Sequence, residues 1–150
     1  MRSGAVIGNQ IGAKSETILA FDYGAKRVGI AVGESALRTA HALSTLTVPA
    51  TQLLDAVAKV VDEWKPARFV VGRPAHEDGT PHAMTARCER FARQLSARFR
   101  LPSSFVDERY TSIDAEAALR AQGVRTTNHR GQSDSLAAAF ILERYFESLT

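Results

Sequence analysis

Carboxylates stand at three places along the chain where a short apolar segment ends or a helical pattern begins. Asp22 ends the segment "TILAFD", and Asp134 opens the segment "SDSLAAAF". Asp107 and Glu108 together end the segment "SSFVDE". Acidic side chains at the ends of buried strands are uncommon, because an unpaired charge is costly to bury. These positions are therefore the first candidates for chemistry.

If these carboxylates met beside one sheet, their charges would repel one another and would need cations to neutralise them. Carboxylate oxygens are ligands of Mg²⁺ or Mn²⁺, with water completing the coordination. Two such ions activate a water molecule and stabilise the leaving oxygen of a phosphodiester. A convergent cluster of these side chains would therefore indicate metal-dependent hydrolysis of phosphodiesters.

The same carboxylates also have separate structural roles open to them. Asp22 would shape a turn, and Asp134 would cap the last helix. Asp107 or Glu108 would pair with Arg109. Because the three places lie far apart in the sequence, only the fold decides whether they converge.

The first part of the chain predicts three strands. Residues 17–22 and 28–33 are rich in β-branched and aliphatic residues. The short segment between them allows a hairpin, in which Gly24 relieves the backbone. Residues 41–48, "HALSTLTV", predict a third strand that Pro49 ends.

The remainder of the chain alternates helical and strand patterns. The segment "TQLLDAVAKVVDEW" predicts a helix with Thr51 as its cap, and "ARFVVGRP" predicts a buried strand. Residues 81–99 predict a helix with Pro81 in its first turn, followed by the strand "SSFVDE". The segment "SIDAEAALRAQG" and residues 133–149 predict two further helices.

The resulting order, β-β-β-α-β-α-β-α-α, predicts an α/β fold with a mixed five-stranded sheet flanked by helices. Strands that alternate with helices require right-handed crossovers in a parallel sheet. The opening hairpin adds antiparallel strands. The small residues 137–139 would let the last helix lie close to this sheet.

Length and composition indicate an ordinary globular protein with one domain. The chain has 150 residues, of which 45% are hydrophobic and 23% charged. We predict a flexible extension over residues 1–16 and a single domain over residues 17–150. No apolar run approaches a membrane span, and the single cysteine, Cys88, suits a reducing cytoplasm.

The net charge of +3 is unevenly distributed. The segment "ARCERFARQLSARFR" carries five arginines against Glu89 alone: Arg87, Arg90, Arg93, Arg98 and Arg100. A solvated helix face and a phosphate-binding surface both explain this pattern, and the sequence does not decide between them.

Four segments resemble, in order, the motifs of a known bacterial family. They are "FDYGAKRVGIAV", "VVGRPAHEDGT", "FVDERYTS" and "SDSLAAAFILERYF". On these segments the chain resembles the YqgF family, also called RuvX or Holliday junction resolvase, over residues 18–146. Each motif alone is weak, whereas four in this order are specific. The resemblance implies a ribonuclease H-like fold, similar to that of the RuvC resolvases, and the predicted order of elements agrees with it.

The resemblance implies that Asp22, Glu108 and Asp134 form a catalytic acidic triad that holds Mg²⁺ or Mn²⁺, with two ions expected. It also favours Glu108 over Asp107 as the ligand. Adjacent residues of a strand point to opposite faces, so only one of them can join the cluster directly.

Nucleic-acid contacts are expected around this triad. Lys26, Arg27 and Arg109 would hold the phosphate backbone without reading bases. Each of them could instead be a solvated or ion-paired side chain. Thr111 and Ser112 match a hydroxyl pair of the family, although capping a helix is a sufficient role for Thr111.

The chain departs from the family pattern in two places. The segment "GRPAHEDG" stands where the family often has Gly-Leu-Pro-Leu-Asn-Met-Asp-Gly, so that Arg73, His76 and Glu77 replace other residues. If this loop touches nucleic acid, Arg73 is a contact particular to this chain. Ser135 stands where a lysine commonly follows the last aspartate.

The resemblance implies a cytoplasmic nuclease and leaves its substrate divided. One substrate is the 5′ end of precursor 16S ribosomal RNA, and the other is a four-way DNA junction. RNA is favoured, because a junction resolvase would need a symmetric dimer and no pattern in the sequence indicates a dimer surface. Whether the chain is a monomer or a homodimer stays open.

Two other functions compete with a nuclease. The hairpin "DYGAKRVGIAV" also resembles the first phosphate-binding turn of actin-like ATPases and sugar kinases, which would make the chain a nucleotide-binding phosphotransferase. Those proteins clamp ATP between two domains, and this chain has room for one. A non-catalytic RNA-binding module is the third hypothesis, and the intact acidic set argues against it.

Overall fold

Short segments rich in Val, Ile, Phe and Ala form one mixed sheet in the computed structural model, which describes residues 15–74, 83–107 and 130–149. The strands are β1 (Thr17–Tyr23), β2 (Val28–Glu34), β3 (Thr39–Leu46), β4 (Arg68–Arg73) and β5 (Ser103–Asp107). The helices are α1 (Ala50–Trp64), α2 (Thr85–Phe99) and α3 (Arg130–Ser148). No described helix is long and apolar enough to cross a membrane.

The strands are arranged in the order β3-β2-β1-β4-β5. The pairs β1–β2 and β2–β3 are antiparallel, whereas β1–β4 and β4–β5 are parallel. As a result β1, β3, β4 and β5 all end at the same edge of the sheet, which we call the carboxyl edge. The sequence prediction of a mixed five-stranded sheet flanked by helices is confirmed.

Side-chain alternation in the central strand divides the core into two layers. Leu19 and Phe21 of β1 pack in one cluster with α1 and α2. Ile18 and Ala20, which alternate with them, pack in the other cluster with α3. The two faces of the sheet are therefore the α1/α2 face and the α3 face.

Helix α3 lies close to the sheet, as its run of small residues predicts. Ala137, Ala138 and Ala139 are buried against it. A Cβ atom at Gly33 of β2 would lie 2.8 Å from the Leu142 Cδ2 atom, too close for an ordinary contact. Small residues on α3 and a glycine on β2 together allow the helix to lie this close to the sheet.

Several predicted boundaries were wrong. β3 ends at Leu46 instead of reaching residue 48, and Pro49 occupies the N-cap position of α1 in place of Thr51. Helix α2 begins at Thr85 instead of Pro81, after a turn at residues 83–84. The Thr85 hydroxyl donates to the carbonyl oxygen of Pro74 at 2.7 Å, a contact between segments that local pattern does not reveal.

The last two predicted helices have different outcomes. Helix α3 includes Arg130 and so begins earlier than the predicted residue 133. The helix predicted from "SIDAEAALRAQG" lies outside the described residues.

Candidate functional site

Asp22 is the penultimate residue of β1 and is half-buried at the carboxyl edge. It lies directly opposite Gly29 of β2 in the antiparallel register. Its neighbours Phe21 and Tyr23 point to the α1/α2 face. Because side chains of a strand alternate, the side chain of Asp22 points to the α3 face, as those of Ile18 and Ala20 do.

Gly29 is the point at which the backbone of α3 meets the sheet. A Cβ atom on Gly29 would overlap the carbonyl oxygen of Asp134 and lie 2.9 Å from the Ser135 nitrogen. Residues directly opposite in an antiparallel pair have neighbouring side-chain positions. The structure therefore brings the main chains of Asp22 and Asp134, two of the predicted triad, together at Gly29 on the α3 face.

An arginine lies beside this pair of carboxylates. Arg27 Nε donates to Asp134 Oδ2, and the two side chains are 34% and 21% exposed. Arg27 ends the turn between β1 and β2, which is closed by a hydrogen bond from the Gly24 N–H to the Arg27 carbonyl oxygen at 2.9 Å. Lys26, one residue earlier in the same turn, is exposed.

Two of the structural alternatives for these carboxylates are wrong. Asp22 lies within β1 and pairs with Gly29, so it does not form the turn. Asp134 lies in the second turn of α3, so it does not cap that helix. The alternative that pairs Asp107 or Glu108 with Arg109 lies partly outside the described residues.

Asp107 lies on the other face of the sheet from Asp22 and Asp134. It is opposite Arg73 in the parallel register, and the preceding Val106 packs into the α3 cluster. Alternation therefore places the Asp107 side chain on the α1/α2 face. Glu108 lies outside the described residues.

The other predicted contact residues divide into two groups. Arg73 is at the end of β4 on the α1/α2 face, where its guanidinium is 3.2 Å from Glu89 Oε2 and 5.0 Å from the centroid of the Phe105 ring. Arg109, Thr111 and Ser112 lie outside the described residues.

The oxygen donors of this site fit a hard divalent cation. Asp22 and Asp134, whose main chains meet at Gly29, both carry carboxylates, and a cation, Arg27, already pairs with Asp134. Within the described ranges no group of three or more His, Cys, Asp or Glu residues is close enough to hold a metal ion. The third predicted ligand, Glu108, belongs to the part of the chain that is not described.

Sequence reasoning missed the role of Gly29. A glycine inside a strand pattern often marks a close approach of another backbone, and Gly29 stands between the apolar residues of β2. This signal identifies a crowded position but not the segment that crowds it, since Asp134 is remote in the sequence.

Comparison with protein families gives one match across nearly the whole chain. The sequence model of a family described as "RuvX: Holliday junction resolvase" matches residues 16–148. The matched segment includes every carboxylate considered above.

Curated relatives match over most of their own length. A protein of Dechloromonas aromatica named "Putative pre-16S rRNA nuclease" is 47% identical over 133 residues, which cover 88% of this chain and 91% of that protein. A protein of Nitrosomonas europaea with the same name is 43% identical over 136 residues, covering 90% of this chain and 92% of that protein.

Solved structures with a similar fold include a complex with a Holliday junction substrate. Thermus thermophilus RuvC in complex with a Holliday junction substrate superposes with a TM-score of 0.55 at 17% identity. The match covers 89% of this chain and 95% of RuvC. At this identity the likeness shows a shared fold, which agrees with the ribonuclease H-like expectation.

Proposed function

The chain belongs to the RuvX family of Holliday junction resolvases, and from this premise we propose that it is a metal-dependent nuclease that processes the 5′ end of pre-16S ribosomal RNA in the cytoplasm. The observation that carries the proposal is the meeting of Asp22 and Asp134 across Gly29. The names of the curated relatives support precursor 16S ribosomal RNA as the substrate.

In the proposed site Asp22, Glu108 and Asp134 hold Mg²⁺ or Mn²⁺, with two ions expected. When bound, such ions lower the pKa of a water molecule and stabilise the charge that develops on the leaving oxygen. Placing Asp107 on the opposite face supports Glu108 as the third ligand, because adjacent strand residues alternate.

The protein's own cations position the substrate in this proposal. Lys26 and Arg27 lie in the turn next to the carboxylates, where a phosphate of the backbone would pass. Arg109, Thr111 and Ser112 are further proposed contacts. Arg73 is also a proposed contact, and its guanidinium forms an ion pair with Glu89.

Cleavage of a four-way DNA junction is the second candidate function. It is favoured by the description of the family and by the structural likeness to RuvC. A resolvase of this kind needs two active sites related by symmetry, which requires a dimer.

A side-by-side cleavage assay tests this proposal. The protein is incubated with precursor 16S ribosomal RNA or a synthetic four-way junction, each with Mg²⁺, Mn²⁺ or a chelator. We expect cleavage of the RNA, dependent on the metal. Asp22→Asn, Glu108→Gln and Asp134→Asn should each reduce the rate by more than about a hundredfold, because even residues behind a metal ligand are worth 10–100-fold.

Asp107→Asn is the matched control, since it changes a neighbouring carboxylate on the opposite face of the sheet. We expect it to retain cleavage if circular dichroism shows it folded. Loss of cleavage in Asp107→Asn with activity kept in Glu108→Gln would reverse the ligand assignment. Cleavage of the four-way junction but not of the RNA would contradict precursor 16S ribosomal RNA as the substrate and indicate branched DNA instead.

A further inference from the structure

The carboxyl edge opens into a cavity on the α1/α2 face, away from the two carboxylates. Its volume is about 300 Å³. It lies between the N-terminal part of α1 and residues 87–94 of α2. The lining residues are Tyr23, Ala50, Thr51, Leu53, Leu54, Arg87, Arg90 and Gln94. Cavities of this size accept small ligands or single units of a polymer.

The cavity is positively charged. Arg87 and Arg90 line it from positions i and i+3 of α2, which places them on the same side of that helix. Neither forms an ion pair with a described residue, and none of the described lining residues is acidic. Elsewhere on α2, by contrast, Arg98 Nη2 is 2.8 Å from Asp55 Oδ1.

The first turn of α1 adds to this positive potential. The N-cap residue Pro49 provides no side-chain hydrogen bond, and the first turn has no acidic residue. The backbone N–H groups at the start of a helix carry partial positive charge and accept an anion. Two guanidinium groups and this helix end therefore face the same space.

The other described residues of the lining are apolar or uncharged. Leu53 and Leu54 of α1 form one side, and the ring of Tyr23 is held by Phe91, whose ring centroid is 4.6 Å away. Gln94 adds an amide beside them. An occupant that combines a phosphate with a planar or sugar group fits this mixture, because guanidinium groups pair with the anion while rings stack on aromatic side chains.

The cavity and the candidate active site share the carboxyl edge. Tyr23 lines the cavity, and the preceding Asp22 faces the other side of the sheet. The two sites are thus separated by the thickness of one strand. A flexible polymer that crosses this edge can reach both at once.

We propose that this cavity binds the sugar-phosphate backbone of single-stranded RNA adjacent to the scissile bond, with Arg87 and Arg90 pairing with consecutive phosphates. The proposal rests on the proposed nuclease function and adds the route of the substrate over the sheet edge. It also gives two roles to arginines of α2, since Arg87 and Arg90 would bind phosphate while Arg98 pairs with Asp55.

Fluorescence anisotropy of the full-length protein with a labelled single-stranded RNA tests this route. A chelator prevents cleavage during the titration. Arg87→Gln and Arg90→Gln should each weaken binding about tenfold, as expected for one lost charge-assisted hydrogen bond. Each should also reduce the slope of log K against log salt by about 0.7, the value for one phosphate of a single strand.

Arg93→Gln is the matched control, because Arg93 is an exposed arginine of α2 that does not line the cavity. It should change the affinity by less than about twofold, the size of a distant screened charge. Equal losses in all three variants would show only general attraction to the helix and would overturn the proposal. Unchanged binding in Arg87→Gln and Arg90→Gln would also overturn it.

Two added arms separate this inference from the proposed function. A DNA of the same sequence tests the polymer, and arginine-dependent binding of DNA alone would reject RNA as the occupant. A parallel Mn²⁺ cleavage assay tests the nuclease. If Arg87→Gln and Arg90→Gln bind RNA normally and still cleave it, the proposed role of the cavity is rejected and the nuclease function is kept. If binding depends on these arginines but the wild type does not cleave, the nuclease function is rejected and the role of the cavity is kept.

Discussion

At the scale of single residues, Arg27 forms an ion pair with one of the proposed metal ligands. It was expected to contact nucleic acid, yet its Nε group donates to Asp134 Oδ2. A guanidinium and a divalent cation compete for the same carboxylate oxygen, because both bind its lone pairs. We therefore expect Arg27 to balance the charge of the proposed site when no metal ion is bound, and to be released for a phosphate when one binds.

Arg27→Gln tests this exchange. Without metal, we expect a loss of stability of about 1 kcal/mol, the size of a partly exposed ion pair, which lowers Tm by roughly 2–4 °C. With Mn²⁺, we expect a larger rise in Tm than the wild type shows, because Asp134 no longer has a competing partner. Thermal unfolding in a chelator and across a Mn²⁺ titration measures both effects.

Lys26→Gln is the control for Arg27→Gln, since it removes the neighbouring exposed charge from the same turn. It should leave both Tm values nearly unchanged. A smaller Mn²⁺ response in Arg27→Gln than in the wild type would contradict competition and would show that Arg27 organises the ligands.

At the scale of elements, the position of α3 decides where Asp134 lies. Gly29 admits the helix backbone, and the alanines of α3 keep it close to β1 and β2. We predict that Gly29→Ala lowers the free energy of unfolding by about 1–3 kcal/mol, because the added methyl overlaps main-chain atoms that cannot rotate away. Urea unfolding measures this loss.

The same substitution should also weaken metal binding, since it displaces Asp134 from Asp22. Ala20→Gly is a suitable comparison, because it perturbs the adjacent strand on the same face without adding an atom. It should cost stability while leaving the Mn²⁺-induced rise in Tm intact. Normal stability of Gly29→Ala would contradict the close contact between α3 and β2.

Local pattern predicted the elements better than their ends. The runs in β1, β2 and β4 are buried on both faces, so each reads as a continuous apolar segment. The start of α2 was missed because Thr85 bonds to Pro74, a contact made only in the folded chain. The nearness of Asp22 and Asp134 also depends on tertiary packing, and resemblance rather than spacing indicated it.

At the scale of the whole molecule, the proposed metal ligands and the arginines of the cavity lie on different faces of one sheet edge. The carboxylates Asp22 and Asp134 lie on the α3 face, whereas Arg87 and Arg90 lie on the α1/α2 face. The sequence showed an arginine-rich helix but not its side of the sheet, since that depends on the crossover between β4 and α2. This arrangement suits a polyanion that is bound by one face and cut by the other.

The extent of the folded unit is the remaining question at this scale. Residues 1–16 were predicted to be a flexible extension, but Ser15 and Glu16 contact the sheet. The Ser35 N–H donates to the Glu16 carbonyl oxygen at 2.9 Å, and the Glu16 N–H donates to Ser35 Oγ at 2.8 Å. Arg68 Nε is 3.1 Å from Glu16 Oε1. The contacts of β1 with its neighbours therefore begin before Thr17.

We predict that a chain shortened to begin at Ser15 keeps the stability of the full protein, whereas one beginning at Thr17 loses about 2 kcal/mol. The loss corresponds mainly to the two hydrogen bonds between Glu16 and Ser35 and the half-exposed Arg68–Glu16 ion pair, since the bonds of Ser15 with Glu34 and Ala36 are exposed. Urea unfolding of both chains beside the full protein measures the difference. Equal free energies of unfolding for the two shortened chains would show that Ser15 and Glu16 do not stabilise the fold. A lower free energy of unfolding for the chain that begins at Ser15 than for the full protein would show that residues 1–14 contribute to the folded unit.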